Sequence, residues 1–432
     1  MGWMKWSVVV GLAAVGVYYY LTRVDPISEL DVQGFWTPQY QHVADTFRKN
    51  LKSGFMRGAS FAAYVDGELV VNLWGGYTDE AYQVKWKKNT ITHVASTTKF
   101  VAALAFSTLV DKGYVKYDDL VSKYWPEFAQ NGKENVTVNM LISHQAGLYV
   151  LDSTVSFKDV VNNPAKVERI LAEQKPHWPP GTEIGYHALT IGMYVDFLAR
   201  KVDPKHRPIY QIYEEDLKVP LGLDFFIATP YSEQYRMARV HQPSLLDVVY
   251  TFLFMPEYRK MLFSMMLGDP WYKNITNGLV KDELPGIFAD PDLRATPIPA
   301  ASGAGTAESV AKLAGLVAAK KAHKGRQILS DAVVEKLSTP SLSKEELVMK
   351  FNGSVGHGTF LFQNPWGQNV FGQPGAGGQM GYADSFNKVG LAFITNYFSA
   401  FATNNDFRFV PLEKAFYDCL GKRKQSENAK QT

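Results

Sequence analysis

The pattern Ser-x-x-Lys formed by Ser96 and Lys99 places a hydroxyl and an amine where they could perform acyl transfer. A serine hydroxyl is a weak nucleophile that needs a neighbouring base, and side chains three positions apart share one face of a helix. The stretch STTKFVAALAFSTLVDKG, which starts at residue 96, has apolar residues at helical spacing and ends at Gly113, a typical helix stop. The sequence therefore predicts that Lys99 can reach the Ser96 hydroxyl.

Three further Ser-x-x-Lys matches begin at Ser309, Ser341 and Ser385. The first falls inside a predicted helix, the second in a polar loop and the third in a predicted turn between strands. Ser96 differs because it follows a predicted strand and opens an alanine-rich helix, so that backbone N–H groups and the positive end of the helix dipole face an incoming carbonyl. We therefore predict that Ser96 is the nucleophile.

Five segments of the chain, in this order, resemble the serine β-lactamase and penicillin-binding-protein superfamily. The resemblance is to its class C-like branch, which includes esterases and eukaryotic β-lactamase-domain proteins, and it covers about residues 30–418. The segments are Ser96-Thr-Thr-Lys99, LISHQAGL (141–148), PPGTEIGYH (179–187), ASGAGTAESVAKLAGLV (301–317) and FGQPGAGGQ (371–379). The last of these is expected on an edge strand.

The resemblance implies a role for each matching residue. Ser96 attacks the substrate carbonyl, and Lys99 and Tyr186 share the proton transfers, one accepting the serine proton and the other passing it to the leaving group. The backbone N–H groups of Ser96 and Ala376 form the oxyanion hole. The remaining matching residues are expected to contact the substrate: His187, Gln373, Gly375 and Gly377.

Two positions depart from the family's pattern. The family's Tyr-x-Asn is Tyr186-His187-Ala188 here, and the Lys or His that usually begins the third motif is Gln373. An amide and a cation that would bind a β-lactam are thereby lost. The resemblance therefore implies a serine hydrolase that works through an acyl-enzyme on a small-molecule or peptide ester or amide, with esterase activity favoured over β-lactamase activity. A serine peptidase and a non-catalytic scaffold or assembly protein that keeps the fold stay open as alternatives.

The predicted elements place strands at both ends of the chain. Residues 59–76 are typical of two strands joined by an Asp66-Gly67 turn, and a helix is predicted before them, within residues 30–54. Further strands are predicted within 358–364, 377–386 and 388–398. Helices and loops fill the middle, so the sequence predicts an α+β fold with one antiparallel sheet built from both chain ends, flanked by helices, and an inserted mainly helical subdomain over about 114–290.

The first 23 residues differ from the rest in composition. Residues 6–22 carry no charged side chain and are bracketed by tryptophans and tyrosines, as in the interfacial belt of a membrane span. We predict an uncleaved single-pass membrane anchor over 1–23, with a cleaved targeting segment and a core helix as alternatives; the compartment, secretory or mitochondrial, stays open. The hydrolase domain is expected over 27–420 and a frayed polar tail over 421–432.

Composition excludes several other classes of function. The formal net charge of +3 is too small to indicate a nucleic-acid partner. The single cysteine, Cys419, cannot form an intrachain disulfide, and the nine histidines show no zinc-binding spacing, so we expect neither a metal nor a cofactor.

An apolar segment over about 245–272 is predicted as core, with a lid or a lipid-contacting surface as the alternative. A homo-oligomer stays open.

Overall fold

The structure is a computed structural model that describes residues 32–54, 56–242, 266–280, 283–320, 322–323, 326–398 and 405–431, together with positions 11, 16, 253, 259 and 263. The predicted membrane anchor lies outside the described residues except at positions 11 and 16, and most of the apolar segment 245–272 does so as well. Within the part of the chain that the structure describes, no helix combines the length and the apolar character that crossing a membrane requires.

The strands are β1 (Gln33–Trp36), β2 (Gly58–Val65), β3 (Glu68–Asp79), β4 (Val84–Lys85), β5 (Thr92–His93), β6 (Phe225–Phe226), β7 (Ala304–Gly305), β8 (Ala322–His323), β9 (Arg326–Gln327), β10 (Leu342–Glu345), β11 (Asn352–Val355), β12 (Phe360–Gln363), β13 (Asn369–Gly375), β14 (Gln379–Asp384) and β15 (Val389–Thr395).

The α-helices are α1 (Gln41–Lys52), α2 (Thr98–Asp111), α3 (Val138–Ile142), α4 (Asp159–Asn162), α5 (Pro164–Glu173), α6 (Thr190–Val202), α7 (Ile209–Tyr213), α8 (Val219–Leu221), α9 (Pro270–Lys273), α10 (Glu283–Ala289), α11 (Pro291–Arg294), α12 (Ala307–Ala319), α13 (Asp331–Ser338) and α14 (Val410–Gln431). Shorter 3₁₀ turns include Pro38–Tyr40 and Ala95–Thr97, and a π turn spans Glu214–Lys218.

One antiparallel sheet organises the molecule, with the strand order β1-β3-β2-β15-β14-β13-β12-β11-β10 and β4 beside β3. The pairing of β2 with β15, from Ala59 opposite Thr395 to Val65 opposite Val389, joins the two ends of the chain inside the sheet. The predicted α+β fold, with one antiparallel sheet from both chain ends, is confirmed. A small sheet of order β5-β7-β6 lies apart from it, beside the nucleophile turn described below.

Both faces of the sheet are covered by helices. Helices α1 and α14 pack on one face in a core that includes the fully buried Phe47 and Phe416. Helices α2 and α12 belong to the core on the other face, which continues into the helical middle of the chain. Helix α12 approaches the sheet so closely that a Cβ at Gly390 of β15 would overlap the backbone of Gly315, so both positions need glycine.

Three details differ from the sequence prediction. The predicted helix within 30–54 begins only at Gln41, because Gln33–Trp36 pairs with β3 as an edge strand and Pro38 opens a helical turn. The third motif lies on β13, between β12 and β14, and the prediction of an edge strand is wrong because β10, β11 and β12 extend the sheet beyond it. The C-terminal residues predicted to fray instead continue α14 as far as Gln431. Within this part of the helix, Lys424 Nζ donates to Asn387 Oδ1 at 2.6 Å.

The hairpin between β2 and β3 agrees with the prediction. Asp66 and Gly67 connect these strands with φ angles of 53° and 77°. Two consecutive residues with positive φ are what a tight turn needs if its twist is to match that of the strands, which explains why the Asp-Gly pair could be read directly from the sequence.

Candidate active site

The predicted nucleophile lies at the bend between β5 and α2. Ala95 has a φ of 46°, which is unusual for a residue with a side chain and lets the chain turn sharply. Thr98 Oγ1 stabilises this bend by donating to the carbonyl oxygen of Ala95 at 2.5 Å and accepting from Gly303 N–H at 2.9 Å. Ser96 is therefore held, half-buried, at the N-terminal end of a rigid helix, as the sequence predicts.

Lys99 lies one helical turn beyond Ser96. Its Nζ is 3.1 Å from Ser96 Oγ and donates to the carbonyl oxygen of Ala300 at 2.8 Å. The side chain is buried, and this burial lowers the pKa of Lys99 to about 7. Near neutral pH a substantial share of the amine is therefore uncharged and able to accept a proton.

Tyr186 approaches Ser96 from the opposite half of the site. Its hydroxyl donates to Ser96 Oγ at 2.7 Å, and Lys99 Nζ lies 5.0 Å from the centre of its ring. Burial raises the pKa of Tyr186, so the hydroxyl keeps its proton at neutral pH. The three residues that the sequence assigns to proton transfer and nucleophilic attack are thus brought into one hydrogen-bonded group.

Strand β13 runs directly against the nucleophile turn. Thr97 Oγ1 donates to the carbonyl oxygen of Gln373 at 3.0 Å, and a Cβ at Gly375 would overlap the carbonyl oxygen of Val94. This close approach carries the exposed residue Ala376, at the end of β13, towards the Ser96 turn. The placement suits the oxyanion hole that the sequence implies from the N–H groups of Ser96 and Ala376.

The turn that follows β13 is held by a residue that no sequence motif indicates. Arg408 is buried, and its Nη2 donates to the carbonyl oxygen of Gly377 at 2.6 Å and to Asp406 Oδ2 at 2.7 Å. Gly377 itself has a φ of 85°, and a Cβ there would overlap the ring of Phe398. In the sequence Arg408 has no motif around it, so no local signal points to this role.

His187, which is predicted to contact the substrate, lies next to Tyr186 in the same loop. It is fully buried, its Nε2 accepts from Leu148 N–H at 2.9 Å and its Nδ1 lies 2.5 Å from the carbonyl oxygen of Gly185. Burial lowers the pKa of His187 to about 3, so the ring is neutral. His144, next to it, accepts the N–H of His187 on its Nδ1 at 3.0 Å. Both histidines support the loop that presents Tyr186.

Gln373 is also largely buried. It is 5% exposed, and its amide donates to the carbonyl oxygen of Pro374 at 3.2 Å. The side chain at this third-motif position is therefore uncharged and is turned towards its own strand.

Large apolar side chains adjoin Tyr186. Tyr149, Trp178 and Trp271, named here the aromatic cluster, have ring centres 5.4–5.7 Å apart. Tyr186 packs against this cluster together with Val348. The surroundings of Tyr186 on this side are therefore apolar and aromatic.

A second missed residue, Glu346, contacts the backbone of Tyr186. Its carboxyl group is fully buried and accepts the N–H of Tyr186 from across 160 positions of sequence. Glu346 follows β10 in a stretch of polar residues, a composition that is typical of an exposed loop.

The comparisons with known proteins agree with this geometry. The beta-lactamase family profile matches residues 43–411. The chain is 29% identical over 374 residues to "Esterase/beta-lactamase LipL" of Mycobacterium tuberculosis, covering 84% of this chain and 83% of that protein. It also resembles the crystal structure of a family VIII carboxylesterase, with 30% identity, a TM-score of 0.76 and coverage of 90% of this chain and 100% of the other. A penicillin-binding protein homologue from Caulobacter crescentus gives the same four values.

Proposed function

Since the chain belongs to the beta-lactamase family, we propose that this serine hydrolase is an esterase that uses Ser96 as its nucleophile and prefers neutral esters with an apolar group. The observation that carries the proposal is the hydrogen-bonded group of Ser96, Lys99 and Tyr186, with both partner groups within 3.1 Å of Ser96 Oγ.

The proposed acylation step follows from the protonation states of these residues. Ser96 Oγ attacks the ester carbonyl while the neutral Lys99 amine accepts its proton. The N–H groups of Ser96 and Ala376 stabilise the negative charge that develops on the carbonyl oxygen. The Tyr186 hydroxyl then donates its proton to the departing alkoxide, and Ser96 remains acylated. The Lys99 ammonium next gives its proton to the Tyr186 phenolate, which restores the tyrosine hydroxyl and the neutral amine.

Deacylation uses the same groups in the reverse sense. A water molecule takes the place of the released alcohol, gives a proton to the Lys99–Tyr186 pair and attacks the acyl carbon. Ser96 Oγ recovers a proton as the acid leaves. The proton balance closes over the two steps, because each proton accepted from a nucleophile is returned to a leaving oxygen.

The preference for a neutral, apolar substrate rests on two features of the site walls. Gln373 supplies no charge at the third-motif position, so a substrate carboxylate gains no ion pair from this side chain. The aromatic cluster keeps the surroundings of Tyr186 apolar, which favours a substrate without a charge beside this residue. The relatives described as esterase and carboxylesterase support the same reaction class.

The test uses a fluorophosphonate probe and two chromogenic substrates. The purified wild-type protein should be labelled on Ser96, as located by mass spectrometry, and should hydrolyse a short p-nitrophenyl ester faster than nitrocefin. Ser96→Ala should lose the label while its thermal unfolding stays close to that of the wild type. Equal labelling of both proteins would reject Ser96, and an unlabelled, inactive wild type would favour the scaffold alternative.

The N-terminal segment is a separate part of the proposal. Residues 1–23 would anchor the enzyme in a membrane because the stretch 6–22 carries no charged side chain. Deletion of these residues should release the protein into the soluble fraction without loss of esterase activity. If the shortened protein still sediments with membranes after alkaline carbonate treatment, another segment binds the membrane.

A further inference from the structure

Glu346 is a fully buried carboxylate surrounded by backbone donors. One oxygen, Oε1, accepts the N–H groups of Tyr186 and Val348, the latter at 3.0 Å, and the other, Oε2, accepts the N–H of Met349. Burial raises the pKa of Glu346, whereas these three N–H groups oppose the rise. All three partners are N–H donors. They therefore suit an ionised carboxylate, which accepts hydrogen bonds on both oxygens, better than a protonated acid, which carries a hydrogen on one of them.

The turn that carries Glu346 is interlocked with the loop that carries Tyr186. Leu347 N–H donates to the carbonyl oxygen of Ile184 at 2.9 Å, so two hydrogen bonds join these segments, one on each side of Gly185. The same turn places Val348 against the aromatic cluster. The backbone around Tyr186 is therefore held by residues of the turn that carries Glu346, 160 positions later in the chain, while the Tyr186 hydroxyl points at Ser96.

Tyr186 contacts the nucleophile through its side chain and Glu346 through its main chain. The side-chain hydroxyl of Tyr186 bonds Ser96 Oγ at 2.7 Å, and the main-chain N–H of the same residue bonds Glu346. A shift of the Tyr186 backbone would move the hydroxyl by a similar distance because the ring is rigid. Misplacement of a reacting group by about 1 Å can cost roughly a hundredfold in rate.

We propose that Glu346 is a positioning residue for catalysis, whose carboxylate holds the main chain of Tyr186 so that the tyrosine hydroxyl stays aligned on Ser96. The inference rests on the proposed function, since it assumes that Tyr186 delivers the leaving-group proton. Glu346 forms no hydrogen bond with Ser96, so its effect on the nucleophile is transmitted through the main chain of Tyr186.

The first variants separate removal of the carboxylate from loss of volume. Glu346→Leu removes both acceptor oxygens at similar size, whereas Glu346→Gln keeps one oxygen for Tyr186 N–H but turns an NH₂ group towards Met349 N–H. Glu346→Leu should lower kcat for an ethyl ester up to about a hundredfold, and Glu346→Gln should lower it less. Lys350→Met is the matched control, because Lys350 lies on the same turn but pairs with Asp269 at 3.3 Å; its kcat should stay close to wild type.

Two readouts distinguish positioning from general damage to the fold. If Glu346 acts through the Tyr186 hydroxyl, its loss should lower kcat/KM, which reports acylation, much more for the ethyl ester than for the p-nitrophenyl ester of the same acid, whose phenolate leaves without a proton. In a Tyr186→Phe background the Glu346 substitutions should then have little further effect on kcat, because coupled residues are non-additive. Should Glu346→Leu fail to fold, the same two measurements on Glu346→Gln decide the matter.

The outcomes also separate this inference from the proposed function. Equal slowing of both esters, additive losses with Tyr186→Phe, or a change confined to KM would overturn the role of Glu346 while leaving Ser96 labelling intact. A Tyr186→Phe protein with full activity would overturn both the proton role and the positioning role. An unlabelled wild type would reject the hydrolase proposal as a whole.

Discussion

Lys99 Nζ lies 2.8 Å from the carbonyl oxygen of Ala300, a residue 201 positions further along the chain. This contact fixes the amine at the end of a flexible side chain, so that it points at Ser96 Oγ at 3.1 Å. The amine therefore depends on the loop before β7 for its direction and on burial for its reactivity.

Acylation should depend on pH through Lys99. Burial lowers the pKa of this amine to about 7, and only the neutral amine accepts a proton, so kcat/KM for a neutral ester should rise as the pH rises through about 7 and level off above about 8. Initial rates between pH 6 and 9, with a substrate that does not ionise, measure this. A flat profile over that range would contradict a titrating Lys99 base.

Tyr186→Phe should impair substrates according to their leaving groups. Without the hydroxyl, an ethyl ester should lose about 10²- to 10⁴-fold in kcat/KM, which reports acylation, because this is the usual contribution of a general acid, whereas the p-nitrophenyl ester of the same acid should lose far less. Tyr149→Phe is the control, since it keeps an aromatic ring in the aromatic cluster and removes a hydroxyl that does not bond Ser96. Equal losses for both esters would argue against proton donation by Tyr186.

A cation at position 373 should change the charge preference of the enzyme. Gln373→Lys should raise the ratio of kcat/KM for a carboxylate-bearing ester to that for its methyl ester by about ten- to a hundredfold, since a hydrogen bond to a charged group contributes about 1.5–3 kcal/mol. Gln373→Met has a side chain of similar length without a charge and should leave the ratio unchanged. An active Gln373→Lys enzyme with an unaltered ratio would show that residue 373 does not face the substrate.

Gly377→Ala should damage both stability and catalysis. The φ of 85° and the overlap of a Cβ with Phe398 should together cost about 3 kcal/mol of the free energy of unfolding and displace the turn after Ala376, so kcat should fall. Gly367→Ala isolates the effect of positive φ, because Gly367 has a φ of 74° with open space around it, and it should cost about 1 kcal/mol without a change in kcat. Chemical denaturation and ester kinetics on both variants supply the comparison.

The sequence predicted the parts of the site that are encoded locally. Ser96 lies in the 3₁₀ turn that leads into α2 and Lys99 in the first turn of α2, three positions later, and the Asp66-Gly67 turn needs only its own two residues. The single sheet from both chain ends could be inferred because β2 and β15 are rich in apolar and aromatic residues. Tyr186 required the resemblance to a known family, since nothing in its own neighbourhood indicates that it reaches Ser96 over 90 positions.

The contacts that the sequence did not predict are those in which a charged residue bonds a distant main chain. Glu346 and Arg408 are of types that usually lie at the surface, and their burial follows from partners 160 and 31 positions away. Strands β10 and β11 were missed for a related reason, because the polar, partly exposed stretches LSKE and NGSV are typical of loops. That omission also led to the mistaken edge position of β13.

The pairing of β2 with β15 has a consequence for biosynthesis. The chain emerges from the ribosome at about 5–20 residues per second, so on the order of tens of seconds separate the appearance of these two strands. During that interval β2 lacks its central neighbour, and its alternately packed apolar side chains have no completed core to enter. Assembly of the nascent domain should therefore wait for the C-terminal strand, and ribosome-bound chains that stop before residue 389 should be bound by chaperones and degraded readily by proteases.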